Sequence, residues 1–485
     1  MQREDERIVV IGSGPSGAAA ARTLVDLGLP VTMLESGDRV PDGLLVRAMG
    51  RNVFRRRGSL PERPSGWIDT LVPGGLSNYW VGASPRFAPL DFHEGERLHE
   101  RYRWPVSYAE LVPYYETVER VLRLAGDPRD VPNLPGPVVL QRRRLPGAWQ
   151  KVASAASGLG HGLAPMPYAD GADWSISRTG VGFNSFTHIV RGLRRRSNFD
   201  LRLGAHALQL EWDGASRRVR SVIYRDRNMG CDKRISAASV VVAAGPLAST
   251  RLLLNSTSAD FPDGLGNTQG LLGRYLHEHP TQWFSIRLRD RTLPRLAQAA
   301  YMTRGPVDDA GPLMAAGYTI GFSTTGDKLL SVLPLPLDRF GILVFGTTVP
   351  IESNSIELDR ARPDECGLPV ACIHMTYSAA ELENLTAARV RLAMVFDTAG
   401  YPCSVPTDIP DPKPGASVHY GGTVRMHASP KYGMLNGWNR LHAVDNVVVA
   451  DASAFTTGVE KNPTLTAMAL ATRAAERLAA EMKAA

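Results

Sequence analysis

The chain alternates between short uninterrupted apolar runs and longer stretches whose apolar positions recur at helical spacing. Residues 8–11, Ile-Val-Val-Ile, form the β-branched run that a strand buried on both faces of a parallel sheet requires. Gly12, Gly14 and Gly17 follow, and residues 15–27 then predict a helix that Gly28 ends, with a second strand over 31–34. One such glycine makes a tight turn, one lets the backbone approach a pyrophosphate, and one lets the helix pack on the strand. Pro15 and Ser16 open the helix, whose first amides point toward phosphates. Glu35, followed by Ser36, ends the second strand where a carboxylate accepts hydrogen bonds from a ribose. Strand, turn, helix and acid together predict dinucleotide binding. An acid rather than an arginine at position 35 argues against a 2′-phosphate and leaves NAD and FAD both open.

Residues 51–65 read as an exposed basic loop. Over 73–80, Gly74 and Gly75 precede Ser77, Asn78, Tyr79 and Trp80, which predicts an unusual backbone with something flat lying against it. Ser107 and Glu110 have capping-box spacing, and Leu111, Tyr114, Tyr115 and Val118 recur at helical intervals, so both tyrosines read as packing. Residues 132–137 break the chain and 150–157 resume as helix. Gly158, Gly160 and Gly162 read as its cap and a loop, not a second nucleotide site.

Residues 198–210 and 219–224 read as strands. A buried strand at 239–243 ends in Ala244, Gly245 and Pro246, with a helix from near Leu247, and this junction is assigned to the same sheet as the first. From about 281 to 412, short runs at 329–333, 341–347 and 355–358 predict an antiparallel sheet, and 381–399 a helix. A last buried strand at 446–450 leads into Asp451, Ala452 and Ser453. Asn462 is then the expected N-cap of the final helix, with Pro463 at its first position and Thr464 next. Its positive end beside Asn462 suits a ring that gains negative charge.

Composition narrows the class. A length of 485 residues suggests two domains, and a net charge of +7 is spread thinly. Basic clusters at 55–57, 142–144 and 194–196 read as solvated surface without any nucleic-acid fold signature, so no nucleic-acid partner is expected. Cys231, Cys366, Cys372 and Cys403 have no metal or disulfide spacing, which points to a reducing compartment and no metal site. The charged start runs directly into the first strand, and no apolar segment is long enough to span a bilayer. A cytoplasmic location without membrane insertion is expected.

In order, the glycine motif with Glu35, residues 73–80, 240–254, 273–280 and 419–423, and the Asp451-Ala452-Ser453 and Asn462-Pro463-Thr464 phrases resemble the glucose-methanol-choline (GMC) family of FAD-dependent oxidoreductases. The resemblance covers nearly the whole chain. It implies FAD rather than NAD, and an α/β fold: a Rossmann-like FAD-binding domain from 1–88, 195–280 and 413–485, plus an α+β substrate domain on an antiparallel sheet from 89–194 and 281–412. It also implies that His419 is the active-site histidine and Asn462 its partner. Asp451 and Ser453 would meet the pyrophosphate and ribitol, with Ala244, Gly245 and Ala452 beside them, and His206 and Ala207 would meet the adenine. Residues 74–80 and 104–108 look most like the pyranose oxidase and gluconate dehydrogenase branch. That branch's oxidases tether flavin through a histidine where this chain has Tyr79, so non-covalent FAD is expected. His427, where the family commonly has glycine, departs from the pattern and puts the local turn in question.

The implied activity is oxidation of a CH-OH group of a sugar, glycoside, amino sugar or related polyol by hydride transfer to flavin N5. His419 would be the base and Asn462 would hold the alkoxide. Tyr79, Trp80 and Glu460 are the expected substrate contacts, Glu460 as a pocket carboxylate for a hydroxyl or an amine. Oxygen or another acceptor would take the electrons. A redox-silent lyase of the hydroxynitrile type, a non-catalytic flavin-binding subunit and an NAD-linked dehydrogenase are the alternatives.

Overall fold

Five of the buried runs meet in one parallel sheet, in the order Val447–Val449, Ser239–Val242, Ile8–Ile11, Val31–Glu35 and Phe199–Leu203. This computed structural model describes residues 7–39, 67–169, 183–296, 298–304, 311–321 and 336–484. Ile8–Ile11 lies at the centre of the sheet and is buried on every side chain, as its unbroken apolar run requires. The Pro15–Asp26 helix packs against the last helix, Thr464–Ala484, which in turn packs on Tyr108–Leu122. Ser107 and Glu110 form the expected capping box at the start of Tyr108–Leu122. Tyr115 is fully buried with its hydroxyl 2.8 Å from Thr466 Oγ1, which makes it a packing residue.

The expected single strand at 198–210 is two strands. Gly204 takes φ +69 between Phe199–Leu203, in the parallel sheet, and Ala205–Asp213, in a separate antiparallel sheet with Arg218–Asp226 and Cys231–Ser236. Its left-handed backbone turns the chain from one sheet to the other. Gly158 lies at the end of the Gly147–Gly158 helix, and Gly160, at φ +84, makes the turn beyond it.

The other layer is a six-stranded antiparallel sheet: Cys403–Ser404, Thr281–Leu288, Arg339–Gly346, Ala316–Ile320, Ala300–Met302 and Leu163–Pro165. Period-two alternation divides its side chains. Ile286, Ile342, Val344, Tyr318 and Ile320 pack under the helices Gly147–Gly158 and Ala379–Thr398. Thr281, Trp283, Thr319, Leu343 and Phe345 turn the opposite way and line a cleft against the parallel sheet. Ser355–Pro363 does not join this sheet. It pairs with Pro369–His374 as a hairpin, and Ile356 and Ala371 pack against Leu247 and Leu276. The expected runs at 51–65 and 329–333, and the cluster at 55–57, lie outside the described residues.

Candidate active site

The three motif glycines have distinct surroundings. Gly12 takes φ +98, and a Cβ there would sit 2.6 Å from the Ala243 carbonyl oxygen. At Gly17 a Cβ would come within 2.1 Å of the Gly12 oxygen, so only glycine lets the helix approach the turn. Gly14 is different: nothing lies within 4 Å of its would-be Cβ, which leaves its face open to the cleft. Gly17→Ala is therefore expected to push the turn open, lower flavin retention at least tenfold and destabilise the fold by about 1–3 kcal/mol. The ratio of visible to protein absorbance after purification measures the first effect.

Ser13, a residue the glycine pattern leaves unspecified, ties the turn together. Its N–H and Oγ donate to Glu35 Oε2 at 2.9 and 2.6 Å, while the Gly74 N–H donates to the same Oγ at 2.8 Å. Glu35 Oε1 accepts from the Gly37 N–H at 2.7 Å and keeps a further lone pair for a hydroxyl. At the same end of the cleft, Ser36 Oγ lies 2.9 Å from His206 Nδ1.

The cleft has a volume of about 440 Å³ and runs from this turn to His419 and Asn462. Gly12, Gly14, Pro15, Ser16, Glu35, Ser36, Gly75, Ser77, Tyr79, Trp80, His206, Ala207, Ala244, Gly245, Asp451, Ala452, Pro463 and Thr464 all line it. Residues expected from segments hundreds of positions apart are thus brought to one wall. Gly17, Gly74, Asn78 and Glu460 do not line it. Asn78 instead donates from Nδ2 to the Pro73 and Gly75 carbonyls at 3.1 and 2.8 Å and accepts from Asn184, folding the turn from behind.

Asp451 and Ser453 also hold their own loop, and one expectation, for Glu460, needs correction. Asp451 directs its carboxylate into the protein: Oδ2 accepts from the Gly245 N–H and Ser249 Oγ, and Oδ1 from the Ser453 N–H and Oγ. These two side chains build the loop, while Ala452 beside them borders the cleft. Glu460 is neither a pocket carboxylate nor a solvated one. It is fully buried 2.6 Å from Lys461 Nζ, which also lies 2.8 Å from Asp91, and Arg304 bridges Asp91 to Glu94.

Asn462 does not cap the final helix. The first intrahelical bond runs from the Ala467 N–H to the Pro463 carbonyl, so Pro463 holds the cap position. The Asn462 side chain is turned away to His419, with Nδ2 3.1 Å from Nε2. Its Oδ1 and His419 Nδ1 are both buried with no partner among the described residues. Burial pushes the His419 pKa down to about 4, so the imidazole is neutral at physiological pH and its lone pair faces the Asn462 amide. Its rings of contact are Phe345 at 5.2 Å and His279 at 5.0 Å between centroids.

The segment 277–280 supplies what the sequence reading cited only as resemblance. Glu278 is buried and accepts from Tyr377 Oη and Ser417 Oγ, each at 2.7 Å, and from the Gly415 N–H. Ser417 Oγ also accepts from the His419 N–H at 3.2 Å, so Glu278 anchors the loop that carries the imidazole. His277 packs against Gly421, Gly422 and Gly458, where a Cβ on any of them would collide with its ring. The signal available in the sequence was a His-Glu-His run, three polar residues directly before a strand. The turn at His427 is also sound: its Nδ1 accepts from the Ser429 N–H at 2.9 Å and Nε2 meets the Glu100 carbonyl at 3.1 Å.

A family model described as GMC oxidoreductase matches residues 350–471. The chain is 29% identical to 2-methyl-1,2-propanediol dehydrogenase of Mycolicibacterium austroafricanum, over 97% of this chain and 94% of that one. It is 30% identical to 6'''-hydroxyparomomycin C oxidase of Streptomyces lividus, over 98% and 92%. It is also 30% identical to paromamine 6'-oxidase of Streptomyces fradiae, over 99% and 93%. Among solved structures, pyridoxine 4-oxidase from Mesorbium loti superposes with a TM-score of 0.67 at 19% identity, covering 97% of this chain and 98% of that one. That likeness shows the shared fold.

Proposed function

This chain belongs to the GMC oxidoreductase family, and from that premise we propose that it oxidises a CH-OH group of a sugar, glycoside, amino sugar or related polyol with non-covalently held FAD. The observation that carries the reading is the meeting of His419 and Asn462 at 3.1 Å on the wall of a cleft whose far end is the dinucleotide turn. The residues present suit FAD. The open face at Gly14, the spare lone pair of Glu35 and the unpartnered Asn462 Oδ1 are polar or unfilled positions along one continuous cleft. The turn at 12–17 and Glu35 would hold the dinucleotide, with Ser36 and His206 toward the adenine. When bound, FAD supplies the acceptor for the hydride removed from the carbinol carbon.

The chain's own residues do the rest. A substrate hydroxyl entering between the two side chains accepts from Asn462 Nδ2 and donates its proton to His419 Nε2. Asn462 thereby fixes which hydrogen on the carbon is presented. Trp283, Leu343 and Phe345 on one sheet face, with Thr281 and Thr319 between them, offer an apolar and hydroxyl-bearing wall to a polyol. The named relatives that act on hydroxylated substrates support this class. Glu460 is not the group that would receive an amine.

Anaerobic bleaching of the flavin by a panel of alcohols, repeated in air with peroxide detection, tests the reading. Bleaching by a polyol is expected and is incompatible with a redox-silent lyase, a non-catalytic subunit or an NAD-linked enzyme; no bleaching by any alcohol would sink the proposal. The pH dependence is a second test. Protonation of His419 removes the lone pair, so kcat/KM falls as pH drops through its pKa of about 4. Activity is expected to be flat from pH 6 to 8, and an acid limb centred on the ordinary histidine value near 6.5 would contradict the buried neutral imidazole.

A further inference from the structure

His419 needs its proton on Nδ1, and Asn462 favours that tautomer only from the opposite nitrogen. The amide N–H of Asn462 points to Nε2, so that nitrogen is the acceptor and the ring proton lies on Nδ1. That Nδ1–H is buried and without a hydrogen-bond partner among the described residues. A donor left so is costly. A second imidazole, that of His279, packs against His419. It is 4% exposed, its centroid is 5.0 Å from that of His419, and the two planes cross at 76°. Phe345 packs on both, 5.4 Å from one and 5.2 Å from the other, and holds the pair together.

His279 carries the complementary deficit. The Gly346 backbone acts on its ring as an acceptor that favours a proton there, while its Nδ1 is buried with no partner among the described residues. A bond to that carbonyl takes the proton on Nε2 and leaves Nδ1 as an acceptor. One ring thus presents an orphan donor and its neighbour an orphan acceptor.

We propose that His279 is a positioning residue that sets the tautomer of His419, taking the His419 Nδ1–H through one bridging water and so keeping Nε2 unprotonated toward the substrate. A neutral imidazole does here what a carboxylate does in an acid-base triad: it orients the base and selects its tautomer. It adds no negative charge beside the ring, which fits a histidine that remains neutral. The inference rests on His419 being the base, but the tautomer itself is measurable without turnover.

The test has two arms. In the unaltered holoenzyme, 15N shifts of His419, assigned against His419→Ala, are expected to report a protonated Nδ1 and an unprotonated Nε2; the reverse tautomer overturns the proposal. In the second arm, His279→Phe keeps the packing without the acceptor, and His279→Asn keeps an oxygen near the place of Nδ1. His279→Phe is expected to lower the rate of flavin reduction about ten- to a hundred-fold with KM and flavin content little changed, on the scale of other partners that orient an imidazole through its second nitrogen. His279→Asn is expected to restore most of the loss. Equal losses in both variants, or none in either, overturn the proposal, and if His279→Phe loses flavin the 15N shifts decide alone. If His419→Ala proves as active as the parent, the base assignment falls, while the tautomer measurement still stands or fails by itself.

Discussion

His419→Ala is expected to slow reduction of the flavin by substrate about a hundred- to ten-thousand-fold, the usual contribution of a positioned general base, with FAD still bound. The separation of the two effects follows from where the residue sits. The only hydrogen bond from the His419 backbone to the Glu278-anchored loop among those described is its N–H to Ser417 Oγ, which alanine retains. Among the described residues the imidazole's hydrogen-bond and ring contacts are Asn462, His279 and Phe345. Stopped-flow reduction without oxygen, beside the visible spectrum of the purified variant, reads both. An unchanged rate would remove the imidazole from the chemistry. Loss of flavin with loss of rate would instead assign His419 to holding the cofactor.

Lys461→Met should destabilise the protein by about 3–5 kcal/mol, the cost of breaking a buried ion pair from one side. Lys461, Asp91 and Glu460 have fully buried side chains, and the ammonium lies within 2.8 Å of both carboxylates. Burial works against the Lys461 charge, but Asp91 and Glu460 more than offset it and hold its pKa above the ordinary lysine value. Methionine keeps the length of the side chain but leaves Asp91 with Arg304, which Glu94 also engages, and strips Glu460 of its ion-pair partner, its Oε2 having none among the described residues. Lys461→Met combined with Glu460→Gln removes a charge of each sign and should recover a large part of the loss. Urea unfolding of the three proteins measures this, and a loss below about 1 kcal/mol for the single variant would mean the cluster is hydrated or relaxes freely. Asn462 is the next residue, so the same variant should also lower kcat through misplacement of the amide.

The contrast between these residues shows where reading the chain alone reaches its end. His419 and Asn462 were identified as a pair by resemblance, and the structure brings them within hydrogen-bonding distance. Glu460, two residues from Asn462, was expected in the pocket and lies instead in a buried ion cluster. A carboxylate's neighbours are not encoded in its own spacing: Asp91 reaches Lys461 from far away in the chain and is itself held by Arg304. Asn462 itself was assigned to the helix cap because local propensity favours it there. A tertiary partner, the imidazole, took the side chain, and the cap position moved to Pro463.

Local rules determined a good deal by themselves. The strand, turn and helix at 8–26, the distinct surroundings of Gly12, Gly14 and Gly17, and the capping box at Ser107 were legible because each depends on contacts within a few residues or on backbone angles only glycine adopts. The parallel order of the sheet, the pairing of His279 with His419 and the choice of which charged groups are buried came only with the tertiary structure. Those depend on which distant segments pack together, and hydrogen bonds and ion pairs gain their strength from the water that such packing excludes.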